Sequence, residues 1–178
     1  RLVSAPGREH QRVDSPGLSG VGLRYLPAAH AGNSQRALEE AEIIAHEVTQ
    51  LVGGRFTDAE GATHELGLEH ILVVTPYNAQ VQALLAALPP GAQVGTVDKF
   101  QGREAVVVFF SMATSSGDDL PRDLAFLFSR NRLNVAISRA RALAVLVASP
   151  KLLQVRCKDA AEMRMVNGVA RFVEMEAS

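Results

Sequence analysis

Three short segments of this 178-residue chain set polar and charged side chains inside otherwise core-forming sequence: ILVVTPYNAQ (71–80), VGTVDKFQGREAVVV (94–108) and RNRLNVAISRAR (130–141). In the second, Asp98, Lys99, Gln101, Gly102, Arg103 and Glu104 crowd between Val97 and an apolar run that resumes at Ala105. A turn between two core strands needs one glycine, but not so many charges. Gly102 would let a phosphate or sugar approach the backbone, and Glu104 could accept hydrogen bonds from ribose hydroxyls; a solvated turn is the plainer alternative. In the third segment Arg130, Arg132, Arg139 and Arg141 place four guanidinium groups within 12 residues. Such forks grip phosphoryl oxygens two at a time, although a solvated basic face has the same composition. In the first, Thr75, Tyr77 and Gln80 fall where a strand gives way to a helix, a favourable place for phosphate contacts. A threonine there also serves simply as a helix cap.

The elements that must position these residues follow from apolar spacing. Ile71–Val74 is an unbroken apolar strand, as expected where helices cover both faces of a sheet. Three similar strands fall at Gln93–Val97, Ala105–Phe110 and Leu143–Val147, with helical stretches at 78–88, 123–128 and 131–140. Val21–Leu26 alternates as a further short strand ending at Pro27. From Gln35 to Val52 a helix is expected, with Leu38, Ala41, Ile44, Ala45, Val48 and Leu51 on its apolar stripe and Glu39, Glu40, Glu42 and Glu47 on other faces; Gly53 and Gly54 end it. In the arginine-rich segment Leu133, Ala136, Ile137 and Ala140 form a buried stripe. Arg132 and Arg139 then line one flank, and Asn134, Ser138 and Arg141 the other. Ala160–Val173 reads as a last helix.

Alternating strands and helices predict an α/β fold: three layers, with a mostly parallel, doubly wound sheet whose ligands gather at the carboxyl ends of the strands. Residues 1–20, rich in glycine and proline, read as a linker or flexible arm, residues 55–70 as a loop or small excursion, and residues 21–178 as one domain.

The remaining composition excludes several classes. Eighteen basic against 19 acidic residues give a net charge of −1, so any polyanion site must be local. The single Cys157 can form neither an internal disulfide nor a multi-cysteine zinc site, which suits a reducing cytoplasm. His10, His30, His46, His64 and His70 lack metal-ligand spacing, and Asp118 and Asp119 read as a solvated loop, so no metal site is expected. No apolar run approaches the roughly 20 residues that span a bilayer, so no membrane partner is expected.

Together and in this order, TPY-x-x-Q, VD-x-FQGRE and RLNVA-x-SRAR resemble the last motifs of superfamily 1 helicases of the Up-frameshift type. NSQRALEEA (33–41) resembles the polar turn and EA-containing helix of that family, so the resemblance runs from about residue 20 to about 150. More narrowly, FLFSRNRLNVAISRAR resembles bacterial proteins that join a RecB-like nuclease module to such a helicase, which points to DNA. The resemblance implies the second RecA-like motor domain, with a P-loop NTPase-type fold. It makes Arg139 the arginine finger on the ATP γ-phosphate and puts Gly102 and Glu104 at the γ-phosphate and ribose. It puts Thr75, Thr96 and Tyr77 at the nucleic-acid backbone. Asp98 and Gln101 would couple the two sites, Gln101 also touching nucleotide, while Arg132, Asn134 and Arg141 support the finger or the domain interface.

No G-x-x-x-x-G-K-[ST] sequence occurs, and the family's acidic magnesium motif and Gln-Tyr-Arg segment are not recognisable. The resemblance therefore implies that ATP with Mg²⁺ is held mainly by a first RecA-like domain, this chain's expected partner along with single-stranded nucleic acid. By itself the chain is expected to be inactive. The competing reading is a non-catalytic α/β module that uses its arginines to bind nucleic acid or protein.

Overall fold

The buried apolar runs pair into one parallel sheet. The computed structural model describes residues 10–100, 102–119 and 137–154. Within these, β1 (Arg12–Asp14), β2 (Gly22–Pro27), α1 (Leu38–Leu51), β3 (Arg55–Thr57), β4 (Thr63–Glu65), β5 (Ile71–Thr75), α2 (Asn78–Ala87), β6 (Gln93–Thr96), β7 (Ala105–Ser111) and β8 (Ala140–Ala148) follow in order. The five-stranded sheet has the order β2-β8-β7-β5-β6, and every neighbouring pair in it is parallel. β5 and β7 are buried along their whole length. Alternate residues feed two cores: Leu72, Val74, Val108, Phe110 and Leu146 on one face, Ile71, Val73, Val107, Phe109 and Val145 on the other. This is why these strands show no polar alternation. The α/β RecA-like expectation holds for the sheet, with α1 and α2 packed on the second face through Ile44, Val48, Leu51 and Leu84.

Three local readings are corrected. Part of the expected linker is structured: β1 pairs antiparallel with β3, β3 with β4, and Val13 is fully buried. One valine with a backbone ladder suffices to dock this segment, and residues 55–70, expected as a loop or small excursion, supply that ladder as a hairpin. Leu38 is exposed rather than on the apolar stripe, and Glu40 is fully buried in its stead. The expected helix through residue 140 ends earlier: Ile137 and Ser138 are helical, Arg139 is in a turn and β8 begins at Ala140. Arg141 is therefore on a strand. The expected helices at 123–128 and 160–173, the start of the one at 131–140, residues 1–9 and Cys157 lie outside the described residues.

Candidate functional site

The site residues separate onto opposite ends of the parallel sheet. At the amino ends of β7 and β8, Gly102, Arg103 and Glu104 are exposed just before β7, and Arg139 just before β8 meets them. The Phe100 carbonyl accepts the Arg103 N–H at 3.0 Å, closing a turn in which Gly102 takes φ +83°. That angle favours glycine. A Cβ at Gly102 would meet nothing within 4 Å, so the backbone there faces open space. The Ala105 N–H donates to the Arg139 carbonyl at 3.0 Å, and Arg139 Nη1 donates to the Arg103 carbonyl at 3.1 Å. Two segments 36 residues apart thus become one cluster. Arg139 Nε is buried with no hydrogen-bond partner. An orphaned guanidinium N–H beside an open glycine turn fits a phosphate-bearing ligand, with Arg139 and the Gly102 backbone as the groups that would hold it.

Phe100, itself buried, anchors this turn from below, with the Lys99 ammonium at 5.5 Å and the Arg103 guanidinium at 5.6 Å from its ring centre. Arg141 lies two residues along β8, lining a small pocket with Gln11, Phe56 and Asp58, and its Nε is likewise unpartnered. It points into the seam with the three-stranded sheet rather than joining the Arg139 cluster. Gln101, Arg132 and Asn134 lie outside the described residues.

The opposite, carboxyl end holds Thr75, Tyr77, Thr96 and Asp98. Thr96 is partly exposed and Asp98 exposed. Thr75 has no exposed surface and Tyr77 only 6%, its ring being part of the core. As the chain stands, these two side chains are not available for direct contact with a strand. Their physical role is to end β5 and start α2: the Tyr77 carbonyl accepts the N–H groups of Gln80 and Val81. Gln80 is also no phosphate ligand, being fully buried. Its amide clamps Ala37, accepting the Ala37 N–H at 2.8 Å and donating to the Ala37 carbonyl at 2.9 Å. Helix α1 has no side-chain cap of its own, and Gln80 supplies the missing acceptor.

Sequence reasoning missed the buried polar centre at this end. Glu40 accepts from His30 Nε2 at 2.9 Å, Ser111 Oγ at 2.6 Å and the Ala113 N–H at 2.9 Å. The signal was available: Glu40 stands one turn before Ile44 and two before Val48, on the buried face of α1. Among the described residues no group of three His, Cys, Asp or Glu side chains could hold a metal ion, and no helix is long and apolar enough to cross a membrane.

The sequence profile described as the AAA domain matches residues 25–151, spanning both ends of the sheet. The chain belongs to the AAA domain family. Its relatives include the DNA polymerase alpha-associated DNA helicase A of Schizosaccharomyces pombe, 38% identical over 107 residues (57% of this chain, 14% of the relative). The mouse RNA helicase Mov10l1 is 33% identical over 102 residues (53% and 9%). The DNA replication ATP-dependent helicase/nuclease JHS1 of Arabidopsis thaliana is 30% identical over 115 residues (64% and 8%). With these relatives and this sheet, it is a superfamily 1 helicase domain of RecA-like, P-loop NTPase fold. The helicase domain corresponds to less than a fifth of each of these relatives.

Proposed function

We propose that the helicase domain is the second motor domain of an ATP-dependent DNA helicase, supplying an arginine finger to a nucleotide held by a first RecA-like domain. The observation that carries this reading is the amino-end cluster, in which Arg139 and the Gly102–Glu104 turn meet through the Arg139–Arg103 hydrogen bond. Arg139 would meet the γ-phosphate, while Gly102 and Glu104 would face phosphate and ribose. ATP with Mg²⁺ supplies the bond that is hydrolysed and the metal that neutralises its oxygens. The single-strand grip would lie at the carboxyl end, with Thr96 as its exposed side chain and Thr75 and Tyr77 shaping the backbone beneath. DNA is favoured by the likeness of FLFSRNRLNVAISRAR to nuclease-helicase fusions and by the match to a plant helicase/nuclease. A fused nuclease module would be a further partner on the same grounds.

The two ends can be tested separately in the intact protein. Glu104→Ala should raise the KM for ATP while leaving single-strand affinity unchanged; Thr96→Ala should do the reverse. If both weaken strand binding and neither touches hydrolysis, the domain is a non-catalytic binding module. The isolated chain should show no measurable ATPase, because it has no phosphate-cradling loop, and robust turnover by it would overturn the assignment. Competition between single-stranded DNA and RNA of one sequence decides the substrate.

A further inference from the structure

A buried polar chain runs across the carboxyl end of the sheet and is used by neither set of ligand-facing residues. The Asn33 N–H donates to Ser115 Oγ at 2.8 Å, and Ser115 Oγ lies 2.7 Å from His30 Nδ1. With the Ser115 hydroxyl donating to Nδ1, the other ring nitrogen of His30 carries the proton and donates to Glu40. The second carboxylate oxygen of Glu40 receives Ser111 and the Ala113 N–H, and Ser111 Oγ accepts from Gln80, which holds Ala37. Glu40, Ser111 and Ser115 have no exposed surface, and His30 only 8%. Buried networks of this kind persist only when each donor finds its acceptor.

Two segments hang from this chain, one exposed and one buried. One is the exposed turn 31–36, tied down by Asn33 and by the Ser34 carbonyl, which accepts from Thr114 Oγ1 at 2.6 Å. The other is Met112–Ser115, leaving the end of β7. Ala113 within it adopts φ +63°, the sole described non-glycine residue in the left-handed region, and its N–H is the one that Glu40 holds. A backbone conformation that L-residues avoid persists only where the surroundings fix it. In the sheet order these segments lie over β7 and reach to the start of α2, beside the ends of β5 and β6 that carry Thr75 and Thr96. A strand crossing the carboxyl end would meet turn 31–36 and Thr96, the accessible groups among them.

We propose that Glu40 is a positioning residue for the nucleic-acid-binding end. Through His30 and Ser115 on one side, and Ser111 and Ala113 on the other, it fixes the buried Met112–Ser115 segment, which in turn holds the exposed turn 31–36 in the arrangement that receives the strand. This rests on the motor-domain reading above. The test uses strand-stimulated ATP hydrolysis by the intact protein, with single-stranded DNA as the probe, in Glu40→Gln and in the gentler Ser115→Ala. The strand concentration giving half-maximal stimulation should rise about tenfold in both, while turnover at saturating strand stays within about twofold of wild type. Hydrogen exchange should quicken in 28–36 and 112–116 and remain unchanged at 102–104. An unchanged half-saturating concentration despite faster exchange would show that turn 31–36 touches no strand, overturning the proposal. Parallel losses of saturating turnover, strand affinity and melting temperature would assign Glu40 a merely structural role and overturn it equally. If Glu40→Gln does not fold, Ser115→Ala alone decides by the same criteria. A wild-type protein with no strand-stimulated hydrolysis would sink the motor-domain reading itself, a result distinguishable because it appears without any mutation.

Discussion

Removing the Arg139 side chain separates the chemistry of the amino-end cluster from its contribution to the fold. The backbone bond from Ala105 N–H to the Arg139 carbonyl survives truncation to alanine, so Arg139→Ala deletes one side-chain hydrogen bond, the 3.1 Å contact to the Arg103 carbonyl. In a partly exposed setting such a bond is worth about 1 kcal/mol at most. For a domain of this size that lowers Tm by roughly 2–4 °C. An arginine finger contributes roughly 10³ to 10⁵ in turnover, or about 4–7 kcal/mol of transition-state stabilisation. The expected kinetic loss therefore exceeds the structural loss severalfold, and unfolding cannot be mistaken for it. The assay is strand-stimulated ATP hydrolysis by the intact protein, with thermal melting and single-strand affinity measured on the same preparations. Turnover should fall at least about a thousandfold, with Tm and strand affinity nearly unchanged. Arg139→Lys should fare little better, because an ammonium keeps the charge but loses the planar fork. Wild-type turnover in Arg139→Ala would refute the reasoning, as would a loss of strand affinity in proportion to turnover.

Gly102→Ala should cost about 1–2 kcal/mol through its positive φ alone, since no atom opposes the new methyl; in the intact protein the KM for ATP should rise about tenfold, and an unchanged KM would exclude close backbone approach. Gly54→Ala is the opposite case, its Cβ falling 2.9 Å from the Leu51 carbonyl oxygen and 3.0 Å from that of Asp14. Backbone cannot swing aside, so a loss of about 1–3 kcal/mol in denaturant unfolding is expected, and an unchanged midpoint would contradict the packing of β1 against α1. The Tyr25 phenol is pushed above its ordinary value of 10.0, first by burial and then by the Glu40 carboxylate. Neutral Tyr25 donates to the Ala148 carbonyl at 3.1 Å, so its stabilisation is complete below pH 10.0 and lost as pH rises through the higher folded value. Glu40→Gln should lower the midpoint of the phenolate absorbance titration, and an unmoved midpoint would mean that burial alone raises it.

The fold was legible wherever burial on both faces leaves no room for polar residues, as in β5, β7 and β8, whose apolar runs appear directly in the sequence. It was illegible where one or two residues suffice to dock a segment. Val13 alone buries β1, and no periodicity can be read from three residues. The site was half legible. Gly102, Glu104 and Arg139 stood out as charges and glycine beside core strands, and they do converge. Helical spacing, however, put Arg141 on the opposite flank of a helix from Arg139, and the resemblance made it a support for the finger, whereas a strand beginning at Ala140 carries it into the seam with Gln11. Placing Glu40 with Glu39, Glu42 and Glu47 on faces other than the apolar stripe also hid it, since only its place one turn before Ile44 marks it as inward-facing. Thr75 and Tyr77 show the converse error, because motif position does not measure burial.

The general rule that ligands gather at the carboxyl ends of parallel strands accounts for only one of the two candidate sites, since the Arg139 cluster lies at the amino ends. What joins them is β7. Its first residue donates its N–H to Arg139, and its last donates its hydroxyl to Glu40. Seven residues of extended chain span about 20 Å. All seven are buried, and Val107–Phe110 pair with β5 on one side and with β8 on the other, so the middle of the strand cannot bend or slide without breaking both ladders. On the proposed motor-domain reading, a displacement imposed at Arg139 by a closing nucleotide cleft would thus be carried to the Glu40 end as rigid-body motion. Softening the middle of the strand should uncouple the ends: Phe109→Ala, which empties a fully buried position, is expected to cost about 3–5 kcal/mol and to reduce strand stimulation of hydrolysis more than it reduces strand binding. Equal losses in both would mean that the two ends communicate by a path other than β7.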